Sequence, residues 1–243
     1  MSYFLSRIPL ELGVIVELTG DEARHILLSR RIEVGEIIEI QDPNNKRFEA
    51  EVIDIDRKSL SIQAISEIKT PEESPLRITV FQALIKEQPL DTIIQKITEL
   101  GVYALTLFYS ENSVERYKDM GKKLGRWRKI SEEAAKQSGR VRPVHIEFVS
   151  DQITLLTRLD EPEKIFILEP LSGSSFLKFR EKNKDLSNIG ILVGPEGGFT
   201  AIEVEQFSNL RNAAPIYLGP RILRADTAAI SASAIIQSLW GDM

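Results

Sequence analysis

The residues best placed to do chemistry lie where apolar runs end in turns bearing Gly or Pro. Ile191-Leu192-Val193 leads into Gly194, Pro195, Glu196, Gly197 and Gly198, followed by Phe199-Thr200. Glycine lets the backbone approach a ligand closely and take a positive φ. In open α/β sheets the ligand crevice lies beyond the carboxyl ends of strands, where this loop would sit. The spacing is neither GxGxxG nor a Walker phosphate loop, because no Lys-Ser/Thr follows, so an uncharged adenosine-type ligand fits better than a phosphate-bearing one. On spacing alone, a ligand cradle and a tight strand-to-helix turn explain the loop equally well. The arrangement repeats at Tyr217-Leu218-Gly219-Pro220-Arg221-Ile222-Leu223-Arg224-Ala225-Asp226, and more weakly at Ile167-Leu168-Glu169-Pro170. Three such strand ends can line one crevice.

The elements that must position these loops are legible from periodicity. Residues 78–83, 104–109, 144–148, 165–168, 189–193 and 216–218 read as strands. Helices are expected near 91–100, 151–159, 174–181, 201–210 and 226–240, with Asp91 capping the first and a Thr200/Glu203 capping box opening the fourth. A long helix carries Leu124, Trp127, Ile130 and Ala134 on its apolar face. Alternating strand and helix gives an α/β fold, a mostly parallel sheet with helices on both faces. Residues 1–70 differ: 14–18, 36–40, 48–55 and 59–65 are short strands around one helix at about 21–31, the pattern of a small β-barrel. Residues 69–75 hold two prolines, two acids and no apolar residue, and mark the boundary.

Composition excludes several functions. The 243 residues contain no cysteine, so thiolate metal sites, iron–sulfur clusters and cysteine nucleophiles are out. No apolar run approaches the ~18 residues of a membrane span, no signal peptide is legible, and the default reading is cytoplasmic. His25 and His145 have no partner at metal-ligand spacing, so no metal is assigned. The net charge is −5, yet residues 115–142 hold 10 Lys/Arg against 4 Asp/Glu, a local +6. Screening makes local charge, not the total, the field that a polyanion meets. Arg126, Arg128, Arg140 and Arg142 therefore form a candidate RNA-binding surface, with Arg7, Arg24, Arg30 and Arg31 as a second basic group in the N-terminal region.

Taken together, these segments resemble the bacterial 16S ribosomal RNA uridine-N3 methyltransferases of the SPOUT superfamily. The resemblance spans nearly the whole chain. It rests on Ile94-Gln95-Lys96 with Glu99-Leu100-Gly101-Val102, on Arg126-Trp127-Arg128-Lys129-Ile130 with Gln137-Ser138-Gly139-Arg140, on the 194–198 loop, and on Leu218-Gly219-Pro220-Arg221-Ile222-Leu223-Arg224 with Thr227-Ala228. It implies a PUA-like RNA-binding β-barrel over residues 1–70, a linker at 71–75, and a SPOUT methyltransferase domain over 76–243 with a C-terminal trefoil knot. It implies S-adenosylmethionine held by Leu168, Glu169 and Pro170, by Gly194, Pro195, Glu196, Gly197 and Gly198, and by Leu218, Gly219, Ile222 and Leu223. It also implies a homodimer and 16S rRNA, free or in the small subunit, as partner. The sequence departs from the family in carrying Asp226 where Glu is usual, Ser29-Arg30 where Val-Leu is usual, and Ser2 where an arginine is frequent.

Uridine N3 carries a proton and is a poor nucleophile at neutral pH, so something must accept that proton or stabilise the anion. Arg224 suits charge at the flanking carbonyls; Glu196 and Asp226 are the candidate proton acceptors. Ribose 2′-O methylation, or an RNA-binding module with a vestigial cofactor site, would use the same surfaces.

Overall fold

The computed structural model describes residues 3–30, 32–114, 116–169 and 173–243, with backbone alone at Ser29 and Arg30. The chain clusters into two units. One comprises the residues up to Glu72 together with Lys136–Arg142, and the other Glu73–Ala135 together with Pro143–Met243. The return of Lys136–Arg142 to the first unit is the difference from a contiguous division near residue 70.

In the first unit, β1 (Phe4–Leu5), β2 (Ile15–Thr19), β3 (Ile37–Gln41), β4 (Arg47–Ile55) and β5 (Ser59–Ile68) form one sheet in the order β1-β3-β4-β5-β2. Period-two alternation sends Ile38, Ile40, Phe48, Ala50, Val52, Leu60 and Ile62 inward. Helix α1 (Gly20–Arg30) lies in the same core through Ala23 and Ile26. Two irregularities in the β4–β5 register bend the sheet. Among the described residues the two outer strands of this order, β1 and β2, do not pair with each other. Strand β1 was not expected: two residues are too short for a periodic signal.

The 136–142 segment completes this unit's polar interior. The amide of Gln41 donates to Val141 O at 2.7 Å, Arg47 Nη2 to Gly139 O at 3.2 Å, and the Tyr3 hydroxyl to Arg140 O at 2.6 Å. Lys136 Nζ sits 2.9 Å from a Glu22 carboxylate oxygen.

In the second unit, β6 (Arg77–Ala83), β7 (Ala104–Phe108), β8 (His145–Val149), β9 (Lys164–Leu168), β10 (Asn188–Val193) and β11 (Ala213–Ile216) form a six-stranded sheet in the order β11-β9-β10-β6-β7-β8. Every neighbouring pair is parallel. Helices α2 (Glu87–Glu99), α3 (Met120–Ser138), α5 (Phe176–Lys182) and α7 (Ala225–Trp240) share a core with Ile78, Val80, Ile189, Ile191 and Phe166. The alternate strand residues, Phe81, Ala83, Ile165, Ile167 and Leu192, join a separate core with Leu155 and Leu159 of α4 (Gln152–Leu159) and Phe207 of α6 (Ala201–Ser208). Because successive strand side chains point to opposite faces, the helices divide between the two sides of the sheet.

Three expectations need correction. Helix α2 begins at Glu87 with Lys86 as its N-cap, not at Asp91; Pro89 suits the first turn of a helix, and the Asp91 carboxylate pairs with Arg126 instead. The last strand is β11 at Ala213–Ile216, so Tyr217 and Leu218 belong to the loop beyond it. Helix α7 starts at Ala225, with Arg224 at its N-cap. Among the described residues no helix is long and apolar enough to cross a membrane.

The capping box of α6 is present: Thr200 Oγ1 accepts from Glu203 N, and Glu203 accepts from Thr200 N at 2.9 Å. Thr200→Ala is expected to cost about 1 kcal/mol, a typical loss for such a cap. Thermal denaturation should show a midpoint about 2–4 °C lower.

Candidate cofactor pocket and RNA-facing residues

Because β6, β9, β10 and β11 run parallel, their carboxyl ends open on one side of the sheet. The turns beyond them enclose a cavity of about 780 Å³, within the roughly 300–1,000 Å³ of small-molecule sites. Leu168 and Glu169 reach it from β9, residues 194–199 from β10, and Leu218, Gly219 and residues 221–226 from the loop and helix after β11. The three loops named from sequence thus line one space. Pro170 lies outside the described residues.

The 194–198 loop is held from several directions. Gln82 Nε2 donates to Gly194 O at 3.2 Å, Asn112 Nδ2 to Gly198 O at 3.0 Å, and Lys86 N to Glu196 Oε1 at 3.1 Å. A turn is closed by Gly198 N donating to Pro195 O, and Gly198 itself takes φ +72°, a value that favours glycine. Gly219 takes φ +117° in the neighbouring loop for the same reason. The loop is also tightly seated, since a Cβ at Gly197 would lie 3.3 Å from Asn112 Cβ. Little rearrangement is left for a ligand to induce in the Gly loop itself.

The charged groups around the cavity have different surroundings. Glu169 is half-buried and, among the described residues, its carboxylate has no ion pair; burial pushes its pKa up. Glu203, at the start of α6 and outside the lining of this cavity, is also desolvated. There the N–H groups of Thr200 and Glu111 and the hydroxyls of Ser110 and Thr200 prevail and hold its carboxyl below the usual range. Asp226 Oδ1 accepts from Thr227 N at 2.8 Å, in the first turn of α7. Arg224 is exposed at the cavity wall, with its backbone carbonyl accepting from Ala228 N. The pocket therefore brings Arg224, Glu196 and Asp226 together around a space that residues from β9, β10 and β11 also line.

Sequence reading missed the fourth wall, Ile85, Lys86 and Pro89 between β6 and α2. This turn has no glycine. Its only signal is topological: β6 is the strand beside β10, which no local motif announces.

The arginines proposed for RNA fall in several settings. Arg126 makes a two-point contact with Asp91, both distances 2.6 Å, and lies 3.0 Å from Glu87; those contacts raise its pKa. Lys123 pairs with the same Glu87 at 2.6 Å, and the Glu87 carboxyl is correspondingly held low. Arg128 Nη2 donates to Ile146 O at 3.3 Å. Arg140 and Arg142 belong to the segment that clusters with the first unit. Arg7 and Arg24 are exposed. Arg31 and the Arg30 side chain lie outside the described residues.

The Glu169 environment gives a pH-dependent expectation. A carboxyl whose folded pKa is raised favours folding while protonated, and that contribution is lost as pH rises through the folded pKa. Glu169→Gln should therefore raise the melting temperature at pH 7 without cofactor. The gain should shrink towards zero below the ordinary carboxylate value of 4.5. Melting curves across that range check it, and a gain independent of pH would point to packing instead.

Residues 72–237 match the family model for an RNA methyltransferase domain, and residues 18–65 match that for an RNA methyltransferase PUA domain. A ribosomal RNA small subunit methyltransferase E of Buchnera aphidicola is 32% identical over 226 residues, 92% of this chain and 88% of the relative. A solved ribosomal RNA small subunit methyltransferase E of Neisseria gonorrhoeae, bound to S-adenosyl methionine, is 30% identical with a TM-score of 0.87, covering 100% of this chain and 99% of that one. A methyltransferase of Legionella pneumophila solved with bound SAM has a TM-score of 0.90 at 28% identity, covering 99% and 98%. The parallel sheet, the cavity at its carboxyl edge and these matches together show that the chain belongs to the RNA methyltransferase family represented by ribosomal RNA small subunit methyltransferase E.

Proposed function

We propose that this protein transfers a methyl group from S-adenosylmethionine to N3 of a uridine in 16S ribosomal RNA. The observation that carries the reading is a cavity at the carboxyl edge of the sheet that all three strand-end loops line. Proteins of similar sequence and fold carry the corresponding name, and two similar structures hold the cofactor. The residues fit that group: a space of adequate volume, apolar side chains at Leu168, Val193 and Leu218, and turns whose backbone lines the wall. A phosphate-loop Lys-Ser/Thr is absent, as suits an adenosine without phosphates.

Leu168, Glu169, residues 194–198, Leu218, Gly219, Ile222 and Leu223 would hold the cofactor. When bound, it supplies a methyl group already activated on a sulfonium, so the protein's task is to orient, desolvate and manage one proton. The target base must leave its stack to expose N3. Arg224 then faces the uracil carbonyls and stabilises the negative charge that develops as N3 loses its proton. Glu196 and Asp226 are the proton acceptors in reach of the cavity. Each has one carboxylate oxygen engaged by a backbone N–H, Lys86 N for Glu196 and Thr227 N for Asp226, which fixes its orientation.

The same proposal places Arg7, Arg24, Arg30, Arg31, Arg126, Arg128, Arg140 and Arg142 on the RNA-binding surface, the enzyme in the cytoplasm, and two copies in a homodimer. Exposed Ile222, just before the small-residue helix α7, and exposed Ile235 on that helix support an apolar contact there. It also places a trefoil knot in the last strands. Glu169 N donating to Ile216 O and Tyr217 N to Ser174 O, which lace the loop after β9 to β11, support it.

Arg224→Gln should lower kcat for rRNA methylation by about 10²–10³, the usual loss of one charge-stabilising donor, while cofactor affinity stays within about twofold. Nucleoside analysis of 16S rRNA after reaction, with calorimetry for the cofactor, checks both. Finding 2′-O-methyl nucleoside in place of N3-methyluridine would overturn the assigned target atom.

A further inference from the structure

We infer that Lys86 and Arg221 bind the phosphates that flank the target nucleotide while its base occupies the cavity. This rests on the methyltransferase reading above. A base lifted from its stack carries its own backbone to the mouth of the pocket, so phosphates must pass the cavity rim. Binding free energy for a polyanion comes largely from neutralising such phosphates.

The rim holds suitable partners. Lys86, at the N-cap of α2, and Arg221, between β11 and α7, both line the cavity and both are exposed. Neither side chain has an ion pair or hydrogen bond among the described residues. They reach the rim from two different loops, one after β6 and one after β11. Glu196 is the exposed carboxylate among them, and one of its oxygens accepts from the Lys86 backbone. Asp226 and Glu169 are half-buried, and Arg224 faces the base in the mechanism above.

The contrast with the basic helix strengthens the choice. Arg126 is among the cations that a reading of net charge singles out, yet Glu87 and Asp91 already compensate it, and Glu87 also pairs with the neighbouring Lys123. Engaging a phosphate would cost them that partner. Lys86 and Arg221 have no such exchange to make.

The test is the Lys86→Gln/Arg221→Gln double variant of the full chain. Its 16S rRNA affinity is read by filter binding across a salt series, and its S-adenosylmethionine affinity by calorimetry. At about 0.7 per contact, the slope of log K against log salt should become shallower by about 1.4, with affinity about 25-fold lower at 0.1 M salt. KM for RNA should rise while kcat holds, cofactor affinity should stay within twofold, and Lys86→Arg should restore most of that residue's share. Both positions are exposed, so an unchanged melting midpoint checks the fold. Wild-type RNA affinity and salt slope would overturn the inference, as would an equal loss of cofactor affinity. If the wild-type chain transfers no methyl to rRNA while the salt slope still changes, the enzymatic reading fails and the phosphate contacts stand.

Discussion

The site depends on the register of β10. This strand lies between β6 and β9, with Val193 opposite Gln82 and Leu192 opposite Ile167. That alignment brings the ends of three strands level, so that the turns beyond them meet around one space. It also sets Gln82 where its amide can hold the Gly194 carbonyl. A parallel sheet buried on both faces has little freedom to slip, because a one-residue shift would exchange Ile189 and Ile191 for Gly190 and Leu192 on each face. Gly190 sharpens the constraint: a Cβ there would lie 2.1 Å from Ile165 Cδ1 and 3.1 Å from the Phe81 ring. Packing of the two cores therefore fixes the geometry of the pocket before any ligand arrives.

Much of this was readable from residue types. The strand-to-helix alternation, the Thr200/Glu203 cap and the three strand-end turns follow from local periodicity and local hydrogen bonding. What was not readable depended on partners distant in sequence. Asp91 looks like a cap because an acid precedes an apolar face, but Arg126, 35 positions later, claims its carboxylate and the helix extends back to Glu87. Lys86 and Pro89 carry no motif, and their place in the cavity wall follows from β6 being the neighbour of β10. The two-residue strand β1 is set by its pairing with β3, Phe4 against Ile40 and Leu5 against Gln41, not by its own composition.

Charge shows the same limit. A count of +6 over residues 115–142 says how many cations are present and nothing about how many are spent. Lys123 and Arg126 are spent on α2, and Lys136 on Glu22. Elsewhere hydrogen-bond donors decide whether a carboxylate pays for burial. Glu203 and Glu169 are both desolvated, yet hydrogen bonds from two backbone N–H groups and two hydroxyls pull the first carboxyl's pKa down, while burial pushes the second one's up.

The return of Lys136–Arg142 to the first unit bears on whether the protein can be dissected. Cutting within residues 69–75 severs one connection, but the chain enters and leaves the first unit again between Ala135 and Pro143. A fragment ending near residue 72 would lose the carbonyls of Gly139, Arg140 and Val141. The Arg47 guanidinium, the Gln41 amide and the Tyr3 hydroxyl would lose acceptors that they now use. Arg47 and Gln41 are almost fully buried, and a buried donor stripped of its partner costs about 1–3 kcal/mol. The N-terminal sheet is therefore a region by sequence but not a severable module: its stability is written partly in residues found more than sixty positions downstream of its last strand.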